Sequence, residues 1–300
     1  MRNKMENNQI PPLPSKLELS LGLEKVQRVE STLEQRAEEE LRKLWDKRIR
    51  SRFAFIPHEL IGKITAKEAI KANEEIGKFA SSFLKETLNE IRNNESLAQQ
   101  PERETKKIVA IGYGRGYDSK WLKEATEAGL QVHWIDVSEV AHDWASKNMD
   151  DQRRKLIEKN VYVRDFPKVE CADIKNVLED PNFYNFDMDS VKVWYLCRML
   201  NCLSEDSAKI VLQKIGSSLV YGGDINSRVI IVNAFKDENP DRIGETSQLY
   251  SKEMILSSLQ AGIDSEAVTD GGYLFEIVRK NSCMYFDQKY DALEIAVRKS

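Results

Sequence analysis

The residues best suited to chemistry are three glycines and one carboxylate. Gly112, Gly114 and Gly116 close the apolar run IVAIGYGRG at 108–116, and Asp136 lies 20 residues beyond Gly116. Glycines at alternate positions after a strand permit a tight turn and close ligand approach, because no Cβ occupies the space. A carboxylate at the end of the next strand can accept both hydroxyls of a ribose. Together they describe a nucleoside site. The spacing narrows it further. A dinucleotide fingerprint needs a glycine at the sixth position of the motif, and here that position is Tyr117. No Walker-type lysine follows, which disfavours a phosphate cradle. An adenosine ligand without a pyrophosphate fits better.

The elements that must position these residues follow from periodicity. Residues 1–30 read as a Pro-containing arm. Ser31 and Glu34 form a capping-box pattern ahead of a helix to about 49, and Thr65 and Glu68 repeat it ahead of a helix over 65–91. The second helix could pair with its own copy or bury its apolar face within one chain, so monomer and homodimer both stand. After a polar linker at 93–104, strands and helices alternate. Strands are predicted at 107–111, 130–136, 168–173, 191–196 and 228–235, with 161–163 competing for the third. Helices are predicted at 119–128, 138–158, 204–219 and 251–260, and two strand-like runs, 273–278 and 291–299, close the chain. Short apolar strands alternating with helices imply a mostly parallel sheet covered on both faces, and the final pair implies an antiparallel edge hairpin. The division expected is 1–100, an arm and helical cap, and 101–300, the nucleoside-binding domain.

Composition removes several function classes. The apolar fraction of 41% suits a soluble core, and no 18-residue apolar segment is present to span a membrane. Net charge is -4, and positive charge forms no long block, so a nucleic-acid partner is not expected. The start MRNKMENNQIPPLP lacks a secretory apolar core. Cys171, Cys197, Cys202 and Cys283 form no CxxC pair and are expected reduced and mostly buried. These features fit a cytoplasmic protein. No metal is expected, because His58, His133 and His142 form no ligand motif. His133 lies in an apolar alternation and reads as structural.

On these residues the sequence resembles the class I S-adenosylmethionine-dependent methyltransferases of small-molecule type. Their glycine motif is matched by Gly112, Gly114 and Gly116, and their acidic residue at the second strand's end by Asp136. The resemblance covers about 105–300, and it implies a Rossmann-like seven-stranded α/β sheet, mostly parallel, with an antiparallel C-terminal edge hairpin and an N-terminal helical cap. It also implies S-adenosyl-L-methionine as cofactor and S-adenosyl-L-homocysteine as product. The contacts implied are Tyr113 in the turn, Val137 beside Asp136, Asp173 on the adenine amino group, and Ala172 and Ile174 along the ring. One departure stands out. The family usually places Asp or Glu two positions before the first glycine, where this chain has Ala110.

A methyl sulfonium is already activated, so the protein mainly has to place a nucleophile in line and exclude water. No residue is assigned as a catalytic base. Residues 143–300 contain no histidine, which tilts the acceptor slightly toward an amine, since a neutral amine attacks with its own lone pair. Acceptor contacts are expected after strands 4 and 5, with Tyr195, Arg198, Asn201, Asn226 and Arg228 as candidates. Arg198 could bind a carboxylate or form an outward salt bridge, and Asn201 could instead cap backbone groups. Phe53, Phe55 and Ile56 could wall the pocket or simply pack the cap. Two alternatives remain beside a small-molecule methyltransferase. One keeps the fold but uses the sulfonium only electrostatically, and the other is a non-catalytic cofactor-binding protein.

Overall fold

The computed structural model describes residues 39–40, 42–44, 46–47, 49–50, 62–94, 106–112, 114, 121–158, 168–181, 186–221, 227–239, 249–264, 272–286 and 288–299. The chain divides into two compact units, Met1–Lys43 and Leu44–Ser300. In the first, the described residues are helical. The second carries the sheet.

Its elements run α1 (Ala66–Asn94), β1 (Lys107–Ile111), α2 (Leu122–Glu127), β2 (Gln131–Asp136), α3 (Glu139–Glu158), β3 (Lys168–Cys171), α4 (Ile174–Glu179), β4 (Val191–Cys197), α5 (Glu205–Tyr221), β5 (Arg228–Ala234), α6 (Lys252–Asp264), β6 (Tyr273–Tyr285) and β7 (Gln288–Lys299). The strand order is β3-β2-β1-β4-β5-β7-β6. The first five strands are parallel, and β7 runs antiparallel between β5 and β6. This is the Rossmann-like seven-stranded sheet with an antiparallel terminal hairpin. Because β1 is flanked by β2 and β4, the chain winds outward in opposite directions from it. The loops after β1 and β4 therefore diverge, and a crevice opens at their carboxyl ends.

The parallel strands read as apolar runs because both faces are covered. One face packs Trp194, Leu196 and Ile231 against α4, α5 and α6. The other packs Ile108, Trp134 and Tyr195 against α1 and α2. In α1 the buried set Ala80, Phe83, Leu84, Leu88 and Ile91 keeps the 3–4 residue helical spacing. Its start is closed as read: the Thr65 N–H donates to Glu68 Oε2 at 2.7 Å, and the Glu68 N–H donates to Thr65 Oγ1 at 3.2 Å.

Three differences from the sequence reading have physical causes. β6 runs to Tyr285 rather than 278, because its second half is an exposed edge whose polar residues mask the strand period. β3 ends at Cys171, since Asp173 leaves the sheet to cap α4 by accepting the Lys175 N–H at 2.9 Å. The four cysteines are free thiols and half-buried, less enclosed than expected. The competing strand at 161–163, the residues Phe53, Phe55, Ile56 and His58, and the first helix as far as 38 lie outside the described residues.

A bulge between Ile277 and Arg279 turns Arg279 toward α1. Its Nε donates to Glu294 Oε2 at 2.8 Å, its Nη2 donates to Phe83 O at 3.0 Å, and the guanidinium lies 4.1 Å from the Phe83 ring centroid. Thr87 Oγ1 donates to the same carboxylate at 3.0 Å, so α1 is clamped onto the hairpin.

His133 is the structural residue expected. It is buried in β2 against Phe186, with Nε2 2.9 Å from Glu170 Oε2. Burial, with Lys107 and Lys168 adding to it, pushes its pKa down to about 4. Between the ordinary histidine value and that one, the unfolded chain binds a proton that the folded chain refuses. The contribution is therefore complete above about pH 6.5 and is lost as pH falls toward 4. Burial raises the pKa of Glu170, which acts in the opposite sense. Comparing wild type with His133→Phe by urea unfolding at pH 7 and pH 5 isolates the histidine. The wild type should lose more stability, by up to roughly 2 kcal/mol, and parallel losses would contradict this account.

Candidate functional site

The crevice is built on the carboxylate of Asp136, the last residue of β2. Its Oδ2 accepts the Gly114 N–H at 2.8 Å, and its Oδ1 accepts the Ser138 N–H at 2.9 Å. One side chain thus holds the turn after β1 and the start of α3. A carboxylate has about four lone-pair sites, so two backbone donors leave acceptor capacity on each oxygen for a diol. Burial raises its pKa to about 6, opposed by the two N–H donors and reinforced by the neighbouring Asp46. At neutral pH the group is ionised.

Gly112 and Gly114 both adopt left-handed backbone, with φ of 73° and 54°. The Gly112 N–H donates to Ile135 O at 2.9 Å, which pins the turn to β2. A Cβ on Gly112 would meet the Cβ and Cγ of Met199 at 2.9 Å. Met199 follows β4, so its side chain closes the turn from the opposite wall of the crevice. Tyr113 and Gly116 lie outside the described residues.

Beyond β3, Ala172 and Ile174 are buried and Val137 is half-buried. The Cys171 thiol donates to Val137 O at 3.7 Å, and the Ala172 N–H donates to Asp136 O at 3.0 Å, so this corner is tied to β2. Asp173 Oδ1 is the α4 cap, and burial raises the pKa of its carboxyl. The parts fit an adenosine: a diol acceptor, a turn without Cβ atoms, and an apolar corner ending in a carboxylate.

Ala110 is enclosed by indoles. It pairs in register with Trp134 and Tyr195, and Trp121 packs edge-on to both, with centroids 6.1 and 5.6 Å away. These rings fill the volume beside position 110, where a carboxylate would be buried among them.

The acceptor candidates separate. Tyr195 is 1% exposed and belongs to this aromatic cluster. Arg198 follows β4 with φ of 59°, a conformation costly for a side chain with Cβ. Its Nη1 donates to Asn73 Oδ1 of α1 at 2.7 Å, and the guanidinium lies 5.3 and 6.0 Å from the Tyr285 and Tyr290 rings. Asn201 Oδ1 accepts from Asn233 Nδ2 at 2.6 Å, joining the ends of β4 and β5. Arg228 begins β5, at the opposite end of the sheet, where Nε lies 3.3 Å from Glu294 Oε1. A loop preceding a parallel strand lies at the other end from the loop following it, so Arg228 is a strand's length from the crevice. Asn226 lies outside the described residues. His142 sits on α3, 3.8 Å from Asp143.

Sequence reasoning missed Asp46, Asn73, Ser138, Met199 and Asn233. Only Ser138 had a local signal, as an N-cap serine at the start of a predicted helix. The Ala141 N–H donates to its Oγ at 3.2 Å.

No protein-family model and no curated protein sequence matches the chain. Solved structures do. A magnesium protoporphyrin IX methyltransferase from Synechocystis, with bound S-adenosylhomocysteine, aligns at TM-score 0.49 and 14% identity, over 87% of this chain and 99% of that one. An S-adenosylmethionine-dependent methyltransferase from Clostridium acetobutylicum aligns at TM-score 0.44 and 12% identity, over 73% and 91%. The cyclase SpnF aligns at TM-score 0.45 and 14% identity, over 69% and 80%.

The Gly112–Met199 contact yields a direct test. Gly112→Ala combines left-handed backbone with a Cβ 2.9 Å from Met199. It should destabilise the protein by roughly 1–3 kcal/mol in urea unfolding. An unchanged midpoint at unchanged slope would show that the turn relaxes without cost.

Proposed function

We propose that the chain is an S-adenosylmethionine-dependent methyltransferase acting on a small-molecule acceptor, with an amine nitrogen favoured over a hydroxyl. The observation that carries this reading is Asp136, half-buried at the crevice and hydrogen-bonded to the Gly114 and Ser138 N–H groups. An ionised diol acceptor tied directly to a turn of left-handed glycines suits an adenosine and gives no cradle for a pyrophosphate.

In this reading Asp136 accepts the ribose hydroxyls, Gly112 and Gly114 admit the ligand close to the backbone, and Asp173 accepts from the adenine amino group between Ala172 and Ile174. When bound, S-adenosylmethionine supplies an activated methyl group, and the chain's task is to orient it and exclude water. Arg198 and Asn201 follow β4 on either side of Met199, whose side chain packs against Gly112. Both are held by residues of other elements, Asn73 and Asn233. They form the wall against which the acceptor is placed. The amine preference rests on the absence of histidine from 143–300, which leaves the usual general base missing from the loops after β3, β4 and β5.

Calorimetric titration with S-adenosylmethionine, S-adenosylhomocysteine and NADH tests the cofactor. Saturable binding of the two sulfur nucleosides, weakened at least about tenfold in Asp136→Ala, is the expected result. Tight binding of NADH alone would overturn the reading. Mass spectrometry of metabolite mixtures incubated with cofactor and protein then tests transfer. The expected product gains one methylene mass as S-adenosylhomocysteine accumulates, whereas a converted substrate with unconsumed cofactor would identify electrostatic use of the sulfonium.

A further inference from the structure

Ser138 does more than begin α3. It is fully buried, its N–H holds Asp136 Oδ1, and its hydroxyl accepts the Ala141 N–H. The hydroxyl proton goes to a residue far away in the chain. Ser138 Oγ donates to Asp46 Oδ1 at 2.6 Å, and the Val140 N–H donates to the same oxygen at 3.2 Å. A continuous chain of hydrogen bonds therefore runs from Asp46 through Ser138 and Asp136 to Gly114.

We propose that Asp46 is a positioning residue for the ribose of the bound cofactor, acting through Ser138 on the carboxylate of Asp136. This rests on the methyltransferase reading of the crevice.

Three observations carry it. The α3 N-terminus already has its serine cap, so a second acceptor is not needed for the helix alone. The carboxylate of Asp46 uses one oxygen to fix both the hydroxyl and the next backbone N–H, which leaves Ser138 no rotational freedom. Asp46 also acts as a like charge on Asp136, raising its affinity for a proton. The Val140 N–H contact accounts for a carboxylate at the start of α3, and the Ser138 hydroxyl contact links it to the residue whose N–H holds Asp136. The groups that meet Asp136 are Gly114 of the turn after β1, Ser138 of α3 and Asp46 of the N-terminal helical residues. From β3 the neighbouring titratable group is Cys171, whose thiol is committed to Val137 O. Asp46 is the charged side chain that acts on Asp136.

The consequence is reciprocal. If Asp46 improves the ribose site, a bound ribose holds the N-terminal helical residues against α3 by the same factor.

The experiment titrates S-adenosylhomocysteine into full-length wild type, Asp46→Asn, Asp46→Ala and Ser138→Ala between about pH 5 and 8, and compares adenosine with 2′,3′-dideoxyadenosine at neutral pH. Wild type should prefer adenosine by about tenfold or more, the value of two hydrogen bonds to a carboxylate. In Asp46→Ala and Ser138→Ala that preference should shrink to about threefold or less, a change that general destabilisation would not confine to the diol. Asp46→Asn keeps an acceptor but removes the like charge, so its preference should persist. Its loss of S-adenosylhomocysteine affinity on acidification should begin at lower pH than in wild type, because Asp136 stays ionised further down. An unchanged diol preference in a folded Asp46→Ala protein overturns the proposal. Should Asp46→Ala not fold, an unshifted pH profile in Asp46→Asn overturns it instead. Binding of S-adenosylhomocysteine with either result leaves the methyltransferase reading standing; no saturable binding in wild type at any pH removes that reading and this proposal together.

Discussion

One half-buried carboxylate sets the geometry of the crevice. Asp136 takes one backbone N–H from the turn after β1 and another from the start of α3, one on each oxygen. Burying a carboxylate is unfavourable unless donors compensate it, and here the donors belong to the two loops that must be held at a fixed separation. The compensation and the positioning are the same bonds. The cost shows in the raised pKa of about 6, which still leaves the group charged at neutral pH. Other supports are arranged around this point. The Gly112 N–H on Ile135 O and the Ala172 N–H on Asp136 O fasten the neighbouring strand ends.

The aromatic packing beneath the turn explains a departure that the sequence could only record. A carboxylate at position 110 would face Trp121, Trp134 and Tyr195, whose rings are 1% exposed or less. Edge-to-face packing of such rings adds to their burial, and an acid inserted there would lose its hydration and displace one of them. Ala110 and the three large rings are therefore one choice of how to fill one volume.

Much of this was legible in the sequence, for a definite reason. β1, β2, β4 and β5 are buried on both faces and show as predominantly apolar runs, so their ends were placed within one residue. The glycines and Asp136 were legible because a turn and a strand end constrain residue type locally. β6 was read short because its edge position relaxes that constraint. What stayed hidden depends on pairs distant in sequence. Asp46 reaches Ser138 across 92 residues, and Asn73 reaches Arg198 across 125. No periodicity encodes such a meeting. Arg228 and Arg198 looked alike in the sequence, both arginines beside a strand, and only the strand direction separates them.

The two walls of the crevice differ in how they are made, and the difference bears on specificity. The wall around Asp136 draws on consecutive βα units between 107 and 179, with Asp46 as an outside support. The wall after β4 is assembled from three distant pieces. Arg198 is held in a left-handed backbone by its own N–H, which donates to Val232 O at 2.8 Å, and by Asn73 of α1. Tyr285 of β6 also donates its hydroxyl to Asn73 Oδ1, at 3.2 Å, and Tyr290 of β7 stacks nearby. A change in α1 or in the terminal hairpin therefore reshapes the wall after β4 without touching Gly114, Asp136 or Ser138. Strained backbone at a half-buried arginine persists only where its surroundings over-determine it, and here α1, β5 and the hairpin all contribute. The turn around Asp136 is local in the chain and the arrangement after β4 is not, which is why the first could be read from residue spacing and the second required the fold.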